Sequence, residues 1–177
     1  MKSTPLYILR LALTLLVITS VVAAALAGVN AVTAPMIASI TAQKTQAAIE
    51  AVLPGGGEKL ETFKDSTGMV KTVYASEAGY AIEVTPAGFN GAITMMVGVG
   101  KDGKVLGIDI ISQTETAGLG AVAAAKTSAG QNFRDSFIGL SGTLSVSDID
   151  AITGATITSR AVTEGVKAAL ACVAGLG

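Results

Sequence analysis

No charged side chain falls between Arg10 and Lys44. Within that gap, Leu11 to Val29 reads Leu-Ala-Leu-Thr-Leu-Leu-Val-Ile-Thr-Ser-Val-Val-Ala-Ala-Ala-Leu-Ala-Gly-Val. About 20 consecutive apolar residues match the thickness of a bilayer when helical. The gap therefore predicts a transmembrane helix over 11–32, behind a short head at 1–10. Lys2 and Arg10 flank its N-terminal side only, which predicts a cytoplasmic head and an extracytoplasmic remainder. The expected location is the inner or plasma membrane, in single-pass form. A cleaved signal peptide is the rival reading, because Ala25-Leu26-Ala27 before Gly28 has the small-x-small form of a cleavage site. The apolar run does not stop there, and its length favours an uncleaved anchor.

After the anchor, Ile37, Ile40, Ala47, Ala48, Ala51 and Val52 recur at helical spacing among Gln43, Lys44, Gln46 and Glu50. This predicts an amphipathic stalk over 33–57, ended by Pro54-Gly55-Gly56-Gly57. The period then changes. Met69–Ala75, Tyr80–Thr85, Ala92–Val99 and Val105–Ile111 are short β-type runs, and Lys101-Asp102-Gly103-Lys104 is a hairpin signal between two of them. Gly118–Lys126 and Gln131–Ile138 read as helices, with Phe133 and Phe137 on one face, and Gly142–Val146 as a further strand. The fold class expected for 58–177 is one α+β domain, a largely antiparallel sheet with flanking helices.

Composition narrows the chemistry. The chain of 177 residues has no histidine and one cysteine, Cys172. Histidine triads, the usual zinc sites, histidine-ligated haem and an internal disulfide are excluded, and no metal site is expected. Lys+Arg number 12 against 13 Asp+Glu, so no basic excess invites nucleic acid. No catalytic side-chain set stands out. Redox chemistry would have to come from a bound organic cofactor or a partner.

Two stretches carry chemistry. Asp150-Ala151-Ile152-Thr153-Gly154-Ala155-Thr156-Ile157-Thr158-Ser159-Arg160 is a hydroxyl-rich turn that opens a helix, whose apolar face runs Ile157, Ala161/Val162, Val166, Leu170, Val173. Arg160 and Glu164 are an i,i+4 pair on the other face. Thr156 or Thr158 is placed to cap the helix, and the N–H groups of a helix start suit a phosphate. An ordinary cap reads the same residues without a ligand. The second stretch is Ser112-Gln113-Thr114-Glu115-Thr116-Ala117-Gly118-Leu119-Gly120, a strand-to-helix turn whose glycines allow close approach of a planar ligand.

Asp150-x-x-Thr153-Gly154-Ala155-Thr156 resembles the flavinylation motif of the FMN-binding domain family, found in the G subunit of the Rnf electron-transport complex and the C subunit of the Na⁺-pumping NADH:quinone reductase. Glu115-Thr116-Ala117-Gly118-Leu119-Gly120 resembles the family's Glu-Thr-Pro-Gly-Leu-Gly signature, departing at Ala117. Gln113 departs where histidine is common. Pro86-Ala87-Gly88-Phe89-Asn90-Gly91-Ala92-Ile93 resembles its Gly-aromatic-x-Gly-x-Ile strand.

The resemblance implies a covalent FMN on Thr156 through a phosphoester, attached by a flavin transferase that takes it from FAD. Asp150, Thr153, Gly154, Ala155 and Thr158 accompany it, and Glu115, Thr116, Gly118, Leu119 and Gly120 lie near the flavin. Thr153, Thr158 and Ser159 also carry hydroxyls; position behind the small Gly154-Ala155 pair favours Thr156. The implied partners are other membrane subunits of the complex, the transferase and the lipid bilayer. The implied function is one flavoprotein subunit of an Rnf-type translocase, coupling ferredoxin:NAD electron transfer to Na⁺ or H⁺ movement. The short chain favours it over the C subunit of the quinone reductase. The readings from other classes are an anchored extracytoplasmic binding module without redox role, and a solitary flavoprotein.

Overall fold

The computed structural model describes residues 4–65 and 67–176. Lys2 of the expected head lies outside the described residues. The chain divides into two compact units, Met1–Gln43 and Lys44–Gly177.

Helix α1 runs over Thr4–Val52, 49 residues, with Pro35 inside it. In the first unit its large apolar side chains, from Leu6 to Ile40, are all exposed. It is the one helix among the described residues long and apolar enough to cross a membrane. Four of its threonine hydroxyls are satisfied within the helix. Thr14, Thr19, Thr33 and Thr41 donate to the carbonyls of Arg10, Leu15, Val29 and Ile37, each four residues earlier, at 2.8–2.9 Å. A threonine bonded in this way carries no unpaired donor into an apolar medium.

The second unit is a five-stranded antiparallel meander, order β1-β2-β3-β4-β5. The strands are β1 (Glu58–Lys59), β2 (Val70–Ala75), β3 (Gly79–Val84), β4 (Thr94–Gly100) and β5 (Val105–Ser112). The four longer ones are the runs expected from alternation. Strand alternation sends Met95, Val97 and Val99 of β4 to one face and Met96 to the other. The first set joins the main core with Val73, Ile82, Val84, Phe133, Phe137, Val162 and Val166. Phe133 and Phe137 meet edge to face at 5.4 Å. Met96 and Ala81 form a second cluster with Ala48, Ile49, Val52 and Leu53 from the end of α1.

Both faces of β4 are therefore covered, which is why it reads as a nearly continuous apolar run. Gly98 permits the second contact, since a Cβ there would come 2.9 Å from Val52 Cβ. Each fully buried Val, Ile or Leu in such a cluster stabilises by about 1.5–3 kcal/mol.

Helix α2 spans Ser128–Asp135, capped by the Thr127 side chain, which accepts from the Gly130 N–H. Helix α3 spans Thr156–Ala174 and buries Ala161, Val162, Val166, Ala169, Leu170 and Cys172 in the main core. Burial raises the Cys172 thiol pKa, as for an inert packing residue.

Four local expectations change. Residues 142–146 form no strand: Gly142 takes φ +72° and the chain enters a short 3₁₀ turn at Val146–Asp148. The helix expected from Gly118 is a 3₁₀ segment over Gly120–Ala124. Glu164 pairs with Lys167 at 2.9 Å and not with Arg160. Neither Thr156 nor Thr158 caps α3: the cap position is Ala155, with no side-chain hydrogen bond.

Candidate functional site

Two loops and the start of α3 converge on a cleft of about 360 Å³. The first loop, 86–93, is a tight reversal. Gly88 N–H donates to the Gly91 carbonyl at 2.7 Å and Ile93 N–H to the Pro86 carbonyl at 2.9 Å. Its tip, Asn90, is clasped to the second loop: the Asn90 side-chain amide donates to the Thr114 carbonyl at 2.7 Å, and the Thr114 hydroxyl donates back to the Asn90 carbonyl at 3.0 Å. This clasp fixes both loops at the end of β5.

The third element is the turn before α3. Ile152 N–H donates to Ser159 Oγ at 3.1 Å, and Ala155 N–H to the Ile152 carbonyl at 3.0 Å. The first bond of α3 runs from Ser159 N–H to the Ala155 carbonyl at 2.9 Å. Gly154 sits at φ +79°, and Leu119 Cδ2 lies 3.2 Å from where its Cβ would be. With no side-chain cap on α3, its leading N–H groups face the cleft end of the helix without a capping acceptor.

The structure brings most of the expected residues together. Glu115, Thr116, Leu119, Gly120, Gly154, Ala155, Thr156 and Thr158 all line the cleft. Asp150 and Thr153 are exposed and lie outside the lining, as does Gly118, whose φ is +76°. Phe89 and Ile157 also line it; sequence reasoning placed Phe89 in a strand motif and Ile157 on the buried face of a helix. Both are solvent-exposed, at 67% and 53%. An aromatic set between Gly88 and Gly91, in a stretch opened by Pro86, was the available signal for Phe89.

The hydroxyls divide sharply. Thr158 and Ser159 are buried at 2% and 0%, and each is engaged: Thr158 donates to Glu115 Oε2, and Ser159 accepts from Ile152. Thr156 is exposed and lines the cleft.

Glu115 is buried at the centre. Burial raises its pKa, but hydrogen bonds from the Thr158 hydroxyl and the Asn90 and Phe89 backbone outweigh that and leave it below the ordinary glutamate value. The carboxylate is ionised at neutral pH, with no Lys or Arg among the described residues of the cleft lining. No cluster of metal-ligating residues occurs among the described residues.

A cleft of this kind, with an apolar rim, two glycine-containing turns and an open helix N-terminus, suits a planar ligand carrying a phosphate. The sequence model of the FMN-binding domain family matches residues 88–171, a window that holds both motifs and Phe89. FMN is the cofactor of this domain, and the lining fits it: exposed apolar side chains for a ring, free N–H groups for phosphate oxygens.

Among curated proteins, the chain is 34% identical over 183 residues to the G subunit of the Na⁺-translocating ferredoxin:NAD⁺ oxidoreductase complex of Acetobacterium woodii, covering 90% of this chain and 88% of the relative. It is 40% identical over 108 residues to the G subunit of the proton-translocating ferredoxin:NAD⁺ oxidoreductase complex of Clostridium ljungdahlii, covering 56% of this chain and 58% of that one. It is 27% identical over 174 residues to the G subunit of the ion-translocating oxidoreductase complex of Methanosarcina acetivorans, covering 92% and 93%. The chain belongs to this family, the G subunits of Rnf-type complexes.

Proposed function

We propose that this chain is the membrane-anchored flavoprotein subunit of an Rnf-type ferredoxin:NAD oxidoreductase complex, carrying FMN as a phosphoester on Thr156. It is one subunit of an oxidoreductase and not a complete enzyme alone. The observation that carries the site is the state of the motif hydroxyls: Thr156 is the one that both lines the cleft and is open to solvent. Its neighbours Gly154 and Ala155 are small, and it is the first residue of α3, beside N–H groups that suit phosphate oxygens.

Attachment balances as a phosphoryl exchange. Thr156 Oγ1 bonds to the FMN-side phosphorus of FAD, the pyrophosphate P–O bond breaks, AMP leaves, and the hydroxyl proton passes to a base. No redox change occurs. A flavin transferase supplies that reaction. Bound FMN then supplies one- and two-electron transfer. The chain's own residues hold it in place and limit its motion within the cleft.

The remaining features follow the same reading. The apolar 11–32 segment anchors the chain in the bilayer, Arg10 marks the cytoplasmic side, and the FMN domain is extracytoplasmic. Small residues Ala23, Ala24, Ala25, Ala27 and Gly28 allow neighbouring membrane subunits to approach closely. The named ion differs between relatives, Na⁺ in one and protons in another.

The test is coexpression of the full chain with a flavin transferase. Intact mass is expected to rise by one FMN, with yellow in-gel fluorescence that survives denaturation. A chain that gains no flavin would remove the reading. Protease added to right-side-out vesicles should digest the domain, and protection would reverse the orientation.

A further inference from the structure

We propose that Glu115 is the positioning residue that presents Thr156 for modification, acting through Thr158 and not on the flavin. The proposal rests on Thr156 being the acceptor. Glu115 is 8% exposed, and both its carboxylate oxygens are engaged. Oε1 accepts the Asn90 backbone N–H at 2.9 Å, and Oε2 accepts the Thr158 hydroxyl. These two bonds join chain segments 25 and 43 residues away from it.

The backbone is shaped around this carboxylate. A Cβ on Gly88 would stand 2.6 Å from Oε1, and one on Gly120 would stand 2.7 Å from Oε2. Two glycines from different loops thus leave room for one side chain. A carboxylate buried without a cation is costly unless its hydrogen bonds are made. Its retention here calls for a role that an apolar residue would not fill.

The geometry of α3 supplies that role. Thr156 is its first residue and Thr158 its third. At 3.6 residues per turn they leave the helix about 200° apart. Tying Thr158 inward to Glu115 therefore turns Thr156 outward. The same bond removes Thr158 as a competing acceptor, because its hydroxyl is buried and its proton committed. Glu115 also holds the Asn90 loop, so the position of the helix start is set against both walls of the cleft at once.

The experiment follows the rate of FMN attachment to the purified full-length chain in detergent, with flavin transferase and FAD, by intact mass and peptide mapping. Circular dichroism confirms that each variant is folded. Glu115→Ala is expected to slow attachment at Thr156 by about tenfold or more, as misplacement of a reacting group does. Glu115→Gln retains an acceptor for Asn90 and a donor for the Thr158 oxygen, and should hold the rate within about threefold of wild type.

Thr158→Val should slow attachment in the same direction, still ending at one FMN. The Glu115→Ala/Thr158→Val pair should be no slower than the worse single variant, since the two act as a unit. Should Glu115→Ala fail to fold, Glu115→Gln and Thr158→Val decide the matter. Wild-type rates in folded Glu115→Ala, or unchanged rates in Thr158→Val, would overturn the proposal. Wild-type chain that gains no FMN, or gains it elsewhere than Thr156, would instead sink the acceptor assignment.

Discussion

The two segments that close the cleft differ in what they expose. Residues 150–160 present an open hydroxyl and helix N–H groups, and residues 112–120 bury a charge. The first segment is built to be reached by another molecule. The second also lines the cleft, but its charge is turned inward, with both Glu115 carboxylate oxygens engaged by Thr158 and Asn90. Both motifs carry polar residues and glycines, and only the three-dimensional setting tells which polar group binds and which holds. Chemistry is expected to fail when the first is altered, and geometry when the second is.

The largest effect should come from the exposed arm. Thr156→Val keeps the side-chain size and removes the hydroxyl, so covalent FMN should fall to zero by mass and in-gel fluorescence, with the melting temperature nearly unchanged. Thr158→Val should retain FMN at the end point, and a chain in which their roles were exchanged would break the comparison. In the holding arm, Gly120→Ala drives a Cβ into Glu115 and Thr158. Overpacking of this kind costs about 1–3 kcal/mol, read as a lower denaturant midpoint.

Gly118 is two residues away with open space around its Cβ, so only its φ of +76° opposes substitution. Gly118→Ala should therefore cost about 1–2 kcal/mol and leave the spectrum of attached FMN unaltered. A spectral change would bring Gly118 into contact with the ring and enlarge the cleft beyond its present lining.

The smallest effect is in pH. Because the folded Glu115 pKa lies below its unfolded value, its contribution is fully present above about pH 4.3, the ordinary glutamate range, and is lost as pH falls through the folded pKa. Glu115→Gln should flatten the acid limb of a stability-against-pH curve and leave the neutral limb alone. An unchanged acid limb would place the ionisation elsewhere.

Much of this was legible from the chain. Short β-type runs set off by glycine- and proline-containing turns disclosed β2 to β5, and the Lys101–Lys104 turn disclosed the hairpin between the last two. Both motifs that meet at the cleft were legible as glycine-containing turns with hydroxyls. Strand β1 was not, because Glu58 and Lys59 are exposed and carry no alternation. The start of α2 was missed, although Thr127 ahead of Ser128 is a capping signal. The cap of α3 was misassigned because any threonine at a helix start looks like a cap. Here Thr158 is drawn to a carboxylate 43 residues away in sequence, which no local pattern reveals. The burial of Glu115 was invisible for the same reason: a charge in a loop reads as solvated until the fold supplies its donors.

The meander also dictates an order of events. Each strand pairs with its neighbour in sequence, so the sheet can assemble progressively as the polypeptide emerges. Helix α3 comes after every strand, and it both seals the main core and carries Thr156 at its first position. If Thr156 is the acceptor, its setting therefore cannot exist in a nascent chain that has not yet extended through α3. Flavin loading becomes a mark of maturity, and truncated or misfolded copies should leave biogenesis without a cofactor. Ribosome-stalled chains ending before Val162 are expected to stay colourless in the presence of transferase and FAD.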